Sequence, residues 1–164
     1  MKLNLNIGCG LDYKQSTATE KWINIDSDPN IKSDEYSSVE DLYPKYTDVD
    51  FILAQDVLEH VVYNENTKDK WANVLAQWVW CLKKGGRIQV QVPDPYMIFA
   101  KMQSGAMTEE EMNRVIYGEN TTANDKHYQL ISLGRLKDTM KEIGLKIVKE
   151  ERLNVCAIIV GEKT

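Results

Sequence analysis

The run Leu3-Asn4-Leu5-Asn6-Ile7-Gly8-Cys9-Gly10 constrains this chain more than any other stretch. Apolar and polar residues alternate at period two and then meet two glycines one residue apart, the pattern of a buried strand that ends in a loop. Glycine suits such a loop because a residue without Cβ reaches positive φ and leaves no side chain between the peptide and a bound molecule. Taken alone, a G-x-G after a strand also fits an ordinary turn. The chemistry therefore depends on what the rest of the chain places beside it.

Leu11 to Lys21 is polar, and Trp22-Ile23-Asn24-Ile25-Asp26 then reads as a second short strand ending in an acid. The link is barely the dozen residues a parallel crossover needs, so only a stunted helix fits. A pyrophosphate site wants a third glycine opening a full helix, and its absence favours a ligand without phosphates. After the turn Ser27-Asp28-Pro29-Asn30, a weaker strand from Glu35 to Val39 leads to Glu40-Asp41-Leu42. Val49 to Ala54 has the continuous apolar character of a strand buried in a parallel sheet. It runs into Gln55-Asp56-Val57-Leu58-Glu59-His60-Val61, a polar cluster at the strand's carboxyl end, where open α/β sheets bind ligands.

The stripe Trp71, Val74, Leu75, Trp78, Val79, Leu82 predicts a helix from about Thr67 to Lys84, closed by Lys83-Lys84-Gly85-Gly86, with Trp80 off the stripe. Arg87 to Val92 alternates as a strand and stops at Pro93-Asp94-Pro95. Residues 95–128 are irregular, with an apolar patch at Tyr96, Met97, Ile98, Phe99 and Met102 and a short helix from Thr108, whose spacing to Glu111 matches a capping box. Ser132 to Ile143 predicts a second good helix. Leu145–Lys149 and Val155–Val160 follow as strands joined so closely that they must pair as a hairpin. These elements predict an α/β, Rossmann-like, doubly wound fold: a mostly parallel seven-stranded sheet with a C-terminal antiparallel hairpin and reduced helices after strands one and two.

Composition bounds the partners. At 164 residues with 43% hydrophobic and 27% charged residues, the chain suits one domain spanning 1–164. A net charge of −5, with no basic run longer than Lys83-Lys84, gives no electrostatic footprint for duplex nucleic acid. Cys9, Cys81 and Cys156 are odd in number and show no C-x-x-C spacing, so reduced thiols and a cytoplasmic setting are expected, with no metal knuckle. With a first strand expected from about residue 3, no leader is expected, and no apolar run has the length of a membrane span.

The motifs LNIGCG, WINID, Asp41-Leu42, DVLEHV (Asp56 to Val61), LKKGG (Leu82 to Gly86) and Val92-Pro93-Asp94 stand in one order over the first hundred residues. In that order the chain resembles the class I S-adenosylmethionine-dependent methyltransferases, in particular their compact small-molecule branch. Two departures are visible: Asp12 replaces the third glycine of the usual loop, and no N-terminal helix precedes the first strand. The resemblance implies S-adenosyl-L-methionine as cofactor. Asn6, Gly8, Cys9 and Gly10 would pass under its methionine part, Asp26 and Ser27 would meet the ribose, and Asp41 and Leu42 the adenine. Gln55 and Asp56, with Ala54, would close over the sulfonium end. A carboxylate suits a diol because it offers acceptors only. Asp26 and Asp41 taken singly also suit a strand-end cap and a turn.

Methyl transfer asks the protein mainly for in-line placement and, for a hydroxyl acceptor, for removal of a proton. The chain's two histidines, His60 and His127, are the base candidates, and His127 is the better one because the resembling family often carries a histidine near the substrate opening. His60 also suits a hydrogen-bonded brace. Asp56-x-x-Glu59-His60 further resembles metal-dependent O-methyltransferases of ubiquinone and small-RNA modification, which implies a divalent cation held by Asp56, Glu59 and His60, with His127 as a further ligand; many relatives with the same V-L-E-H bind none. An exocyclic base amine is disfavoured, since Gln55-Asp56-Val57-Leu58 replaces the Asn/Asp-Pro-Pro-Tyr pattern that goes with it. A small-molecule acceptor is expected. The rivals are a cofactor-binding module of the same fold that needs a partner or a homodimer, or does not turn over, and a nucleotide-binding oxidoreductase, which the broken glycine pattern disfavours.

Overall fold

A computed structural model of the chain describes residues 1–62, 70–119 and 125–164. Seven strands form one sheet: β1 (Lys2–Ile7), β2 (Glu20–Asp26), β3 (Glu35–Tyr36), β4 (Val49–Gln55), β5 (Leu82–Pro93), β6 (Leu145–Leu153) and β7 (Cys156–Lys163). Their order is β3-β2-β1-β4-β5-β7-β6. The first five run parallel, and β7 pairs antiparallel with both β5 and β6. The helices are α1 (Lys70–Cys81), α2 (Pro95–Gln103), α3 (Glu109–Tyr117) and α4 (Leu133–Glu142), with a single 3-10 turn at Leu58–His60. No described helix is long and apolar enough to cross a membrane.

Strand alternation sorts the sheet into two unlike faces. Leu5, Ile7, Ile25, Ile52, Ala54, Ile88, Val90, Val92, Ala157 and Ile159 share one face and belong to one buried cluster. Helix α1 packs Trp71, Val74, Leu75, Trp78 and Val79 into it, and α4 adds Leu133, Leu136 and Met140. Each such buried aliphatic side chain contributes roughly 1.5–3 kcal/mol of transfer free energy. Trp78 also donates its indole N–H to the Val39 carbonyl at 2.7 Å, which ties the loop before β4 to this helix.

The opposite face carries Asn4, Asn6, Trp22, Asn24, Phe51, Gln89 and Gln91. No helix lies anywhere in residues 8–48, so the expected reduced helices after β1 and β2 are absent and the double winding is not realised there. A polar clamp replaces them. Asn24, wholly buried, receives the Asn6 Nδ2 donor at 3.0 Å and the Lys14 N–H at 2.8 Å. It donates in turn to the Lys14 carbonyl at 3.0 Å and the Asp34 carboxylate at 2.7 Å, while Asn6 also donates to the Asp12 carbonyl at 2.7 Å. Every polar group of the Asn24 side chain is thus spent on holding loop backbone or a neighbouring strand end.

Other differences have local causes. Helix α1 ends at Cys81 rather than at the glycines, and Leu82 to Gly86 already belong to β5. Leu82 pairs with Val49 and Arg87 with Phe51, so Lys83 to Gly86 bulge opposite Asp50, where the Lys83 ammonium pairs with the Asp50 carboxylate. Gly85 supplies the positive φ (77°) this bulge needs. The expected helix start at Thr67 falls outside the described residues. The strand expected over Glu35–Val39 is only Glu35–Tyr36. The apolar patch after Asp94 forms α2, because Asp94 caps it by accepting the Tyr96 N–H at 2.9 Å. The Thr108–Glu111 capping box of α3 is formed on both sides.

Asn24→Ala strands the Lys14 and Asn6 donors and should cost about 3 kcal/mol. Urea unfolding followed by circular dichroism reads this; a loss under about 0.5 kcal/mol would show that the clamp is dispensable.

Candidate active site

The polar ends of β1, β2 and β4 meet at a cleft of about 420 Å³. Its first wall is the glycine loop. Gly8 has φ 61°, and a Cβ there would lie 2.6 Å from Val57 Cγ2, so the loop closes against the start of the next segment only with glycine. A Cβ on Gly10 would meet nothing within 4 Å, so the space beside it is open. Asp26 holds the loop: its Oδ2 accepts the Gly10 N–H at 2.8 Å and its Oδ1 the Asp28 N–H at 2.9 Å. Two carboxylate oxygens carry about four acceptor sites, so one per oxygen is left toward a ligand. Ser27, Ile31 and Ser38 to Glu40 continue this wall.

The second wall comes from the end of β4. Asp56 sits at φ 53°, a left-handed conformation that costs a non-glycine residue on the order of 1 kcal/mol. Gln91 enforces it from both ends, accepting the Asp56 N–H on its carbonyl at 3.0 Å and donating its side-chain amide to Asp56 Oδ2 at 2.9 Å. The Asp56 carboxyl is raised above its ordinary value, chiefly by surrounding protein mass.

Behind it the 3-10 turn buries Glu59 completely, with neither carboxyl oxygen hydrogen bonded within the protein. Burial, and then the charge of Asp56, push the Glu59 carboxyl well above the ordinary range. The segment 125–131 closes over this turn: the Tyr128 N–H donates to the Glu59 carbonyl at 2.8 Å. That closure brings His127 against His60, with ring centroids 4.7 Å apart and edge to face. His60 Nδ1 donates to the Lys126 carbonyl at 3.1 Å and His127 Nδ1 to the Val115 carbonyl at 2.8 Å. A carbonyl only accepts, so each ring carries a proton on Nδ1, and Nε2 is the atom left to bind or exchange one. Among the described residues, Glu59, His60 and His127 form a group whose donor atoms lie within 4.8 Å of one another.

Of the residues singled out in the sequence, Gly8, Gly10, Asp26, Ser27, Asp56 and His60 line the cleft, and Asn6, Cys9, Asp41, Leu42, Gln55 and His127 do not. Asn6 is spent in the clamp, Leu42 is wholly buried in the core, and Asp41 faces solvent while Glu40 takes the cleft position. Gln55 lies in β4 register with Gln91, on the face away from the core. Burial raises the Cys9 thiol to about 11, so it is no nucleophile at neutral pH. Asp56, proposed beside Glu59 and His60 for a cation, stands outside the donor group, and His127 takes its place. Asp125 and Tyr128 also line the cleft, and nothing in their local sequence marks them.

No family model matches the chain, and no curated protein matches it in sequence. Solved structures do match in fold. A Thermotoga maritima S-adenosylmethionine-dependent methyltransferase, described as a possible histamine N-methyltransferase, superposes with TM-score 0.64 at 17% identity over 100% of this chain and 83% of its own. The Burkholderia thailandensis 1,6-didemethyltoxoflavin-N1-methyltransferase, solved with 1,6-didemethyltoxoflavin and S-adenosylhomocysteine, gives 0.62 at 12% identity over 99% and 71%. A Haloferax volcanii chain solved in complex with the Trm112 methyltransferase activator gives 0.67 at 10% identity over 98% and 81%. The chain therefore has the fold of the S-adenosylmethionine-dependent methyltransferases.

The raised Glu59 carboxyl predicts a pH dependence. The folded state holds this proton at pH values where the unfolded chain has lost it, so stability is full below the unfolded value near pH 4.3 and falls as pH rises toward the folded one. Glu59→Gln keeps the shape without the titration, and in chelated buffer should be more stable than the unaltered chain at pH 7 and no more stable at pH 4. Equal gains at both pH values would refute the assignment.

Proposed function

We propose that the chain is an S-adenosylmethionine-dependent methyltransferase acting on a small-molecule acceptor by O- or N-methylation. The observation that carries this reading is Asp26 at the cleft rim, oriented by the Gly10 and Asp28 N–H groups and still offering an acceptor site on each oxygen. A vicinal ribose diol matches that geometry, and the open space beside Gly10 suits the methionine part. The adenine falls to Val39 and Glu40, one or two residues before the Asp41-Leu42 pair. When bound, the cofactor supplies a methyl group already activated on a sulfonium.

The chain's own part is placement and proton removal. His60 lines the cleft, so its Nε2 is the proton acceptor for a hydroxyl or amine, and His127, edge on behind it, steadies the ring. This exchanges the roles expected from sequence. Isothermal calorimetry tests the cofactor site: S-adenosylmethionine and S-adenosylhomocysteine bind, NAD does not, and Asp26→Ala weakens binding about a hundredfold through loss of two charge-assisted hydrogen bonds. Affinity within about threefold of the unaltered chain would overturn the reading. Binding without turnover of any acceptor would assign the chain to a partner-dependent or non-catalytic module.

A second reading, a divalent-metal-dependent O-methyltransferase, is favoured by Glu59. A buried carboxyl without a donor beside two imidazoles is a donor set that a divalent cation satisfies, and Glu59, His60 and His127 would hold it. The cation would lower the pKa of an acceptor hydroxyl. Chelation should then abolish turnover and Mn²⁺ or Mg²⁺ restore it; turnover unchanged by chelator leaves the histidine base alone.

A further inference from the structure

The segment that closes over the 3-10 turn also closes over α3, and alternate residues serve the two. Toward the turn, the Lys126 carbonyl accepts from His60 Nδ1 at 3.1 Å, the Tyr128 N–H donates to the Glu59 carbonyl at 2.8 Å, and Gln129 Nε2 donates to the Leu58 and Val61 carbonyls at 3.4 Å each. Toward α3, the His127 N–H donates to the Tyr117 carbonyl at 3.1 Å and its Nδ1 to the Val115 carbonyl at 2.8 Å. The last carbonyls of a helix have no partner inside it, so His127 acts as their cap. Helix α3 needs this hold, because it buries no residue completely.

Gly118 decides whether the strap can lie there. It follows the last residue of α3 at φ 84°, donates its N–H to the Arg114 carbonyl at 2.9 Å and is itself buried. A Cβ at this position would overlap the Asp125 carbonyl oxygen and lie 2.8 Å from the carbonyl carbon and 3.2 Å from the His127 backbone nitrogen. All three are backbone atoms, so no change of rotamer relieves the clash, and the strap or α3 must shift. Hydrogen bonds of 2.8 and 3.1 Å do not survive a displacement of that kind. The two bonds that set the histidine tautomers, His127 to Val115 and His60 to Lys126, both run through this strap. One backbone contact thus governs both rings, whose centroids are 4.7 Å apart.

We infer that Gly118 is a positioning residue for the proton-accepting histidine. By seating residues 125–128 on the end of α3 it commits Nδ1 of His60 to the Lys126 carbonyl, which leaves Nε2 as the atom that takes a proton from the acceptor. The same contact places Asp125 in the cleft wall and His127 against His60. The proton-accepting role rests on the methyltransferase reading, whereas the seating of the two rings does not. A ring whose Nδ1 lost its acceptor would populate both tautomers, and only the fraction carrying its proton on Nδ1 could accept another at Nε2.

Long-range ¹H–¹⁵N correlation spectra test this, with each ring read at the high-pH end of its own titration; the chain has only two histidines to resolve. The unaltered chain should show the Nδ1–H tautomer for both rings and a nuclear Overhauser effect between them. Gly118→Ala should turn both rings into tautomer mixtures and remove the Overhauser effect. Gly105→Ala is the control: its φ of 71° carries the same backbone strain, but a Cβ there would meet nothing within 4 Å, so it should lower the melting temperature alone. His127→Gln keeps Gly118 and the strap, so His60 should keep its Nδ1–H tautomer there even if Gly118→Ala fails to fold. A tautomer mixture at His60 in the unaltered chain, in Gly105→Ala or in His127→Gln, or both signatures intact in Gly118→Ala, would each overturn the inference. The expected signatures in a chain that does not bind S-adenosylhomocysteine would instead defeat the methyltransferase reading and leave the positioning of the rings standing.

Discussion

The hydrogen bond between Asn6 and Asn24 is the constraint on which the ligand end of this sheet depends. Two buried amides on adjacent parallel strands would be costly if left unpaired, and here each uses the other and the nearby loop backbone to satisfy itself. In doing so they hold residues 8–19 against the sheet without a helix. The consequence reaches the site directly: Gly10 is positioned to donate to Asp26 because the strands that carry them end in register, with Ile7 beside Ile25. A compact chain thus replaces the packing of a helix with a small polar network, which trades apolar area for exact pairing of groups.

The second half of the cleft is built by a different kind of constraint. A left-handed aspartate and a wholly buried glutamate sit within a few residues of one strand end beside His60, with His127 brought against it from the 125–131 segment, and the first two are features that a stable fold alone would avoid. Gln91 from the neighbouring strand and the carbonyls of Val115 and Lys126 hold them in place. Strain and unmet hydrogen bonding are collected here at the carboxyl ends of parallel strands, where open α/β sheets bind ligands. Asp94 anchors the elements around it: fully buried, it caps α2, accepts the Leu133 N–H at 3.3 Å and meets Arg152 at 3.4 Å, so one carboxylate joins α2, α4 and β6.

Much of the architecture was legible in the chain because it is dictated by local period. Alternation in Leu3 to Ile7 and Arg87 to Val92, the 3.6-residue stripe from Trp71 to Val79, and the tight link before β7 each depend on residues close in sequence. What local period could not resolve was length and ending. Helix α1 stops at Cys81 and not at the glycines because Leu82 finds a pairing partner in Val49, a contact made across the sheet. The helix α2 was hidden because an Asp-Pro start reads equally as a turn until the Asp94 side chain is seen to cap it.

The sequence by itself determined the strands, the two-glycine loop, Asp26 at the end of β2 and the polar cluster after β4, since each follows from short-range pattern and from the fixed geometry of parallel strands. Only the tertiary structure decided that His127 meets His60, that Glu40 stands in the cleft while Asp41 does not, and that Asn6 pairs with Asn24. Those choices hang on which way a side chain points and on loop closures between residues about seventy positions apart, such as Tyr128 onto Glu59. Packing and hydrogen-bond satisfaction over the whole molecule set them, and no short window of sequence carries that information.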